Sequence, residues 1–229
     1  MPVLGLGTYR LSSSQAENSV YWALKAGFRL IDTARIYGNE DGVGRGIRRA
    51  VSEGIVTRDE VFVTTKMWTS NYSDKALREG KLRAVPAACY ATGLSNYYTP
   101  EDFDRLAHAV TIPPAVLQNE THPYHPSTTM KAHIAQYGTI LEAWYPLGGR
   151  GHTQELFTDP VISAIASAHG KTSAQILLRW HLQAGNIAIP GSSNEQHIIE
   201  DYGVWDFALT ASEMEQIAAL NQDRRNSTY

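Results

Sequence analysis

One cysteine, Cys89, occurs in the 229 residues, which excludes an internal disulfide and points to a reducing compartment. No apolar run is long enough to cross a membrane. The opening "MPVLGLGTYR" lacks a basic leader followed by an apolar stretch, so the cytoplasm is the expected location. Charge of one sign is scarce as well: 20 Lys and Arg against 23 Asp and Glu leave a net charge of −3. The densest basic spots, Arg48-Arg49 and Arg224-Arg225, are too small for a nucleic-acid track. A third glycine is missing from "GLGTYR", where a dinucleotide-binding turn of the open-sheet type would need one. Histidine is absent before His108, which leaves residues 1–107 without an imidazole. No linker, repeat or low-complexity tract interrupts the chain, so residues 1–229 are read as one domain.

What is present is a recurring alternation. Apolar runs predict strands at Val3–Gly7, Phe28–Thr33, Val61–Lys66, Cys89–Ser95, Ala115–Glu120, Thr139–Trp144 and Asn186–Gly191. Helical stripes such as Val43, Ile47, Ala50 and Val51, or Phe103, Leu106, Ala107 and Val110, lie between them. Ser14 with Glu17, Thr172 with Gln175, and Thr210 with Glu213 have capping-box spacing. Thr99-Pro100 and Asp159-Pro160 each place a cap before proline at the first helical position. Strands alternating with helices imply a parallel sheet covered by helices, either a barrel or an open sheet.

Polar residues collect at the strand ends, where a barrel keeps its chemistry. Asp32 ends the second strand, Lys66 the third, and Tyr37 follows Asp32 in "DTARIYGNE". An ammonium beside a phenol lowers the phenol pKa, and a carboxylate holds the ammonium charged and oriented. Such a set gives a tyrosine able to donate a proton to a carbonyl oxygen. Spacing alone leaves a second reading open: a structural Asp32–Lys66 ion pair with Tyr37 as a loop aromatic.

Beyond this point a resemblance carries the reading. The stretches "MPVLGLGTYRL", "GFRLIDTARIYGNEDGVGRGIRRA", "VFVTTKMW", "GLSNYYTPEDF", "LQNETHPYH", "EAWYPLGGRG", "GKTSAQILLRWHLQAGNIAIPGSSN" and "DFALTASEM" resemble, in order, those of the aldo-keto reductases, most closely the bacterial diketogluconate-reductase-like or prostaglandin-synthase-like members. The resemblance implies a TIM-type (β/α)8 barrel, NAD(P)H-dependent reduction of an aldehyde or ketone, and a small-molecule carbonyl substrate, with NADP(H) favoured over NAD(H). It puts Tyr37 in the proton donor's place, supported by Lys66 and Asp32. Gly7, Thr8 and Tyr9 fall in the cofactor-touching first loop, and Ser95, Asn96 and Gln118 match the residues that hold the nicotinamide carboxamide. Trp144 matches the aromatic that stacks on the ring, with Leu147 and Gly148 in the loop after it, and Trp68 resembles a substrate-pocket aromatic. Trp22, Trp180 and Trp205 have no such match and are expected to pack.

Two departures follow. Gly191 and His197 stand where many members carry a lysine and an arginine for the 2′-phosphate. That leaves Ser192, Ser193 and Asn194 as neutral donors, with His197, Glu200 and Asp201 in the adenosine-contact region. Between the Lys66 strand and the Ser95 strand, the family has a further strand that ends in a catalytic histidine. No counterpart is visible here, so about seven strands are expected, in an incomplete barrel. Reduced turnover is the first expectation. Two alternatives are a relic with residual nucleotide binding and an interaction module that uses open barrel edges. His122 and His125 are expected to be structural rather than replacements for the lost group, and no metal is expected.

Overall fold

The computed structural model describes residues 1–66 and 92–228. Seven strands are described: β1 Gly5–Gly7, β2 Leu30–Asp32, β3 Phe62–Thr64, β4 Gly93–Ser95, β5 Val116–Glu120, β6 Ile140–Trp144 and β7 Ile187–Ala188. Each falls within the range its apolar run predicted. All pairings are parallel, in two runs ordered β1-β2-β3 and β4-β5-β6-β7. A parallel bridge between Leu4 and Ala188 joins the runs, and the Gly7 amide donates to the Pro190 carbonyl at 2.8 Å. The spatial order is therefore β3-β2-β1-β7-β6-β5-β4. Among the described residues β3 pairs only with β2 and β4 only with β5.

Nine helices are described: α1 Ser13–Ala26, α2 Glu40–Ser52, α3 Pro100–Ala107, α4 Thr128–Ala135, α5 Thr153–Phe157, α6 Pro160–His169, α7 Ser173–Gln183, α8 Glu195–Tyr202 and α9 Ala211–Ala218. Their caps follow local chemistry. Thr172 and Thr210 close the expected capping boxes, and Asp159 accepts from the Val161 and Ile162 amides. The first helix corrects the reading: its box is Ser12 with Gln15, not Ser14 with Glu17. Three consecutive serines offered the same cap chemistry, and the extended ψ of 164° belongs to Ser12.

Alternation along the strands sorts side chains into two environments. Ile31 faces outward into the cluster made with α1 and α2, whereas Leu117 and Leu141 face outward onto α3 and α4. Leu30, Ile187 and Ile189 pack together with Phe62 and Trp144 on the other side of the strands. Between α1 and α2 the backbones approach closely, since a Cβ on Gly46 would lie 2.5 Å from the Glu17 carbonyl oxygen. That contact locks β1 and β2, and with them Asp32, against the outer layer.

Trp180 is buried and Trp22 packs on the core as expected. Trp205 departs from the packing expectation: it is 49% exposed and rests edge-on against Tyr202. Trp68 and Cys89 lie outside the described residues, as does the first part of the Cys89–Ser95 strand.

Candidate active site

Asp32 ends β2 with its side chain almost wholly buried, and Lys66 follows β3, the adjacent strand. Their register brings the ammonium to both carboxylate oxygens, at 2.7 and 2.6 Å. Lys66 Nζ also donates to the Thr33 carbonyl at 3.1 Å and to Tyr37 Oη at 3.2 Å. Tyr37 closes the short 3-10 turn Arg35–Tyr37, which ends at Gly38 in the left-handed region. Its ring lies 5.0 Å from that of Tyr9 and 5.1 Å from the Lys66 ammonium. Carboxylate, ammonium and phenol thus converge, with Tyr37 hydrogen-bonded to the lysine of the ion pair.

One electrostatic expectation is reversed. Burial raises the Tyr37 pKa above its ordinary value, and this outweighs the lowering by Lys66. Burial also works against the Lys66 charge, but Asp32 and Tyr37 overcome it and hold the lysine pKa above the usual value. The outcome is a neutral phenol that accepts from a secured ammonium. That state suits a proton donor, with the ammonium placed to meet the charge left on the phenol oxygen after transfer.

Across the interior stands a second polar group. Gln118 on β5 is buried, and its Nε2 donates to Asp32 Oδ1 and to Glu142 Oε2, both at 3.0 Å. These bonds link β2, β5 and β6 around one interior. Glu142 on β6 is fully buried, with Oε1 lacking a hydrogen-bond partner. Burial, and then the Asp32 charge, push its pKa up to about 7. The sequence reading missed Glu142. Its position two residues before Trp144 on a half-inward strand was the available signal.

At the neighbouring strand ends, the Asn96 amide donates to the Gln118 carbonyl, and Trp144 Nε1 donates to Asn96 Oδ1 at 3.2 Å. Ser95 pairs with Gln118 in the ladder. Ser95 and Trp144 end β4 and β6, Asn96 follows β4 and Gln118 stands mid-way along β5, so the four are gathered across three adjacent strands. Leu147 is half-buried between two apolar clusters, and the Gly148 carbonyl accepts from Asn226 Nδ2 at 2.8 Å. Thr8 is buried and spends its hydroxyl on the Asp32 carbonyl at 2.9 Å. A Cβ on Gly7 would lie 2.9 Å from the Ile189 carbonyl oxygen, so this position demands glycine.

Ser192, Ser193 and Asn194 form the loop that enters α8. Asn194 Oδ1 caps the helix by accepting from the Gln196 and His197 backbone amides, which occupies two of the helix's leading N–H donors. The His197 side chain is exposed, Glu200 is half-buried, and Asp201 is buried with its pKa pushed up to about 7 by that burial. No lysine or arginine lies between Arg179 and Arg224. His122 is fully buried against Glu120 at 3.0 Å, as a structural histidine should be. His125 Nδ1 lies 3.2 Å from Asp223 Oδ1. Neither reaches the Asp32–Lys66–Tyr37 group. Among the described residues no cluster of His, Cys, Asp and Glu could hold a metal ion.

A parallel strand–helix barrel with such a group at its strand ends defines a class of enzyme, and comparison with known proteins gives that class its family. The aldo/keto reductase family profile matches residues 3–87 and 74–222, and the chain belongs to that family. It is an oxidoreductase with the barrel fold of its relatives. The 9,11-endoperoxide prostaglandin H2 reductase of Trypanosoma cruzi is 36% identical, over 98% of this chain and 89% of the relative. An aldo-keto reductase from a Medee basin deep-sea metagenome superposes with a TM-score of 0.91 at 29% identity, covering 100% of this chain and 94% of that one. A Bombyx mori aldo-keto reductase in complex with NADP gives 0.86 at 29% identity, covering 98% and 91%. The alignment with the trypanosomal reductase spans 266 positions. The present chain has 229 residues, so at least 37 positions of the relative have no counterpart here. The two family matches overlap at residues 74–87, which places the discontinuity there.

Proposed function

We propose that the chain is a single-domain reductase of aldehydes or ketones in which Tyr37 gives the proton to the carbonyl oxygen. The observation that carries this reading is the Lys66 ammonium, which bonds to both oxygens of buried Asp32 and to the Tyr37 hydroxyl. A nicotinamide bound at the strand ends supplies the hydride. The residues present fit its nicotinamide end: Trp144 offers a half-buried indole face, and Ser95, Asn96 and Gln118 offer neutral polar groups beside it. Lys66 stabilises the phenolate left after proton transfer, and Asp32 fixes Lys66. Tyr9 shields one side of the Tyr37 ring.

Turnover is slow in this reading. No histidine precedes His108, so the imidazole that would orient a carbonyl beside Tyr37 is absent from the chain. Losing one electrostatic donor costs about 10²–10³-fold in rate. NADP(H) is the proposed cofactor, in line with the NADP complex of the silkworm neighbour. Its advantage over NAD(H) is small, because Ser192, Ser193 and Asn194 supply only neutral contacts and charge-assisted bonds of roughly 1.5–3 kcal/mol each are missing.

The test is a titration of NADPH and NADH, read by quenching of protein fluorescence, beside carbonyl-dependent oxidation of each nucleotide. Binding of both with similar affinity and slow oxidation is the expected result. Binding without any oxidation would leave a nucleotide-binding relic, and neither signal would leave an interaction module.

A further inference from the structure

Two carboxylates share one amide inside this barrel, and among the described residues only one of them is paired with a cation. Asp32 is paired with Lys66, whereas Glu142 has, among the described residues, only the Gln118 Nε2 hydrogen that points away from Asp32. An amide nitrogen carries two hydrogens and its oxygen carries none. With one hydrogen committed to each carboxylate, the amide is clamped from both sides and all that Gln118 has left to offer is an acceptor. A flip of the amide would set a carbonyl oxygen against two carboxyl groups.

We infer that Glu142 is a positioning residue: with Asp32 it fixes the Gln118 amide so that Gln118 Oε1 is presented to the N–H2 group of a nicotinamide carboxamide. This rests on the nucleotide reading of the strand ends given above. The groups that face Glu142 are Asp32 from β2, Lys66 from just after β3 and Gln118 from β5, while Ile187 of β7 and Ile189 just after it are apolar. A protonated Glu142 is a weaker acceptor and relaxes the clamp, and an ionised Glu142 tightens it. Because burial places this change near neutrality, the clamp is sensitive to pH where most carboxylates are not.

The experiment follows the side-chain amide signals of the full chain by 1H–15N NMR from about pH 5 to about pH 9, around the midpoint near 7. Gln118→Leu identifies the Gln118 pair. The expected result is a Gln118 pair that shifts with a midpoint near neutrality in the native chain, and that stays resolved but does not titrate in Glu142→Gln. Glu142→Leu should move one of the two hydrogens toward the free-amide position. A pair that ignores pH, or titrates equally in Glu142→Gln, overturns the clamp.

NADH affinity, measured on the same samples, avoids titration of a 2′-phosphate. It should rise several-fold from pH 6 to pH 8 in the native chain, with the Gln118 midpoint near 7, and stay flat in Glu142→Gln. An unchanged NADH affinity in Glu142→Leu overturns the role toward the carboxamide. Failure of every variant to bind NADH refutes the nucleotide reading and that role together. The amide spectra still decide the clamp, since they need no nucleotide.

Discussion

Tyr37 is surrounded by groups that act on it in opposite directions, and burial prevails, so the phenol is kept protonated beside an ammonium. Tyr37→Phe removes the proton while leaving the ring packed on Tyr9. Carbonyl-dependent NADPH oxidation should vanish in steady-state assays, and the NADPH dissociation constant should stay within about twofold. Equal activity in this variant would remove Tyr37 from the mechanism. Glu142 makes a second prediction at this scale. Its carboxyl holds a proton up to about pH 7 in the folded chain, against about 4.3 when unfolded. Between those values the folded state binds more protons, so stability falls as pH rises through the window. Glu142→Gln should therefore match the native chain in urea unfolding below pH 4.3 and exceed it above pH 7. Glu120 gives the opposite sign. Burial opposes its charge, yet bonds from His122, Ser227 and Asn226 bring its pKa down to about 2. Its contribution is complete above about pH 4.3 and is lost as pH falls toward 2. Glu120→Gln should flatten that acid limb and loosen the chain end that Glu120 holds.

Elements were easier to read than the groups they position. Each described strand lies inside its apolar run because a strand end needs only a change from Val, Ile and Leu to polar residues. Asp32 was legible as a strand end for the same reason, whereas Lys66 lies two residues past β3 and Gln118 mid-way along β5. Glu142 was not, because an acidic residue inside "ILEAW" shows its burial only when the strand's inward face is known. The reversed direction at Tyr37 was hidden too, since sequence spacing carries no measure of desolvation. Caps were legible where the candidate was unique, as at Thr172, and ambiguous at Ser12–Ser14, where three serines compete. Thr172 supports a prediction of its own. Its hydroxyl accepts from the Gln175 amide, and the Gln175 side chain returns the bond to the Thr172 amide. The helix they start buries Ile176, Leu177, Leu178 and Trp180. Thr172→Ala should cost about 1 kcal/mol and lower the thermal midpoint by roughly 2–4 °C for a chain of this length. A midpoint unchanged in a thermal scan would mean that packing of the apolar face holds the helix end without its cap.

At the scale of the whole chain, the question is how seven described strands serve a family built on eight. Strand number, tilt and stagger are linked in a closed barrel, so a chain with one strand fewer would also lack a wall beside the site. At least 37 positions of the trypanosomal relative lack a counterpart here, and the family matches meet at residues 74–87. Tyr37, Lys66 and Asp32 nevertheless converge on one side of this discontinuity, and Gln118 reaches Asp32 from the other. On the proposed reading, the groups assigned to the nucleotide are already assembled among the described residues, and the missing positions bear on the carbonyl side. Inserting the relative's segment at the discontinuity should raise kcat/KM for a small aldehyde by about 10²–10³-fold, while NADPH affinity changes little. A second insert, with alanine in place of the strand-end histidine that the family resemblance implies, separates the causes. A gain confined to the histidine-bearing insert identifies the imidazole as the lost group, and an equal gain in both identifies exclusion of water by the restored wall. No gain in either, from an insert shown by circular dichroism to fold, would mean that the native chain is not limited by the missing strand.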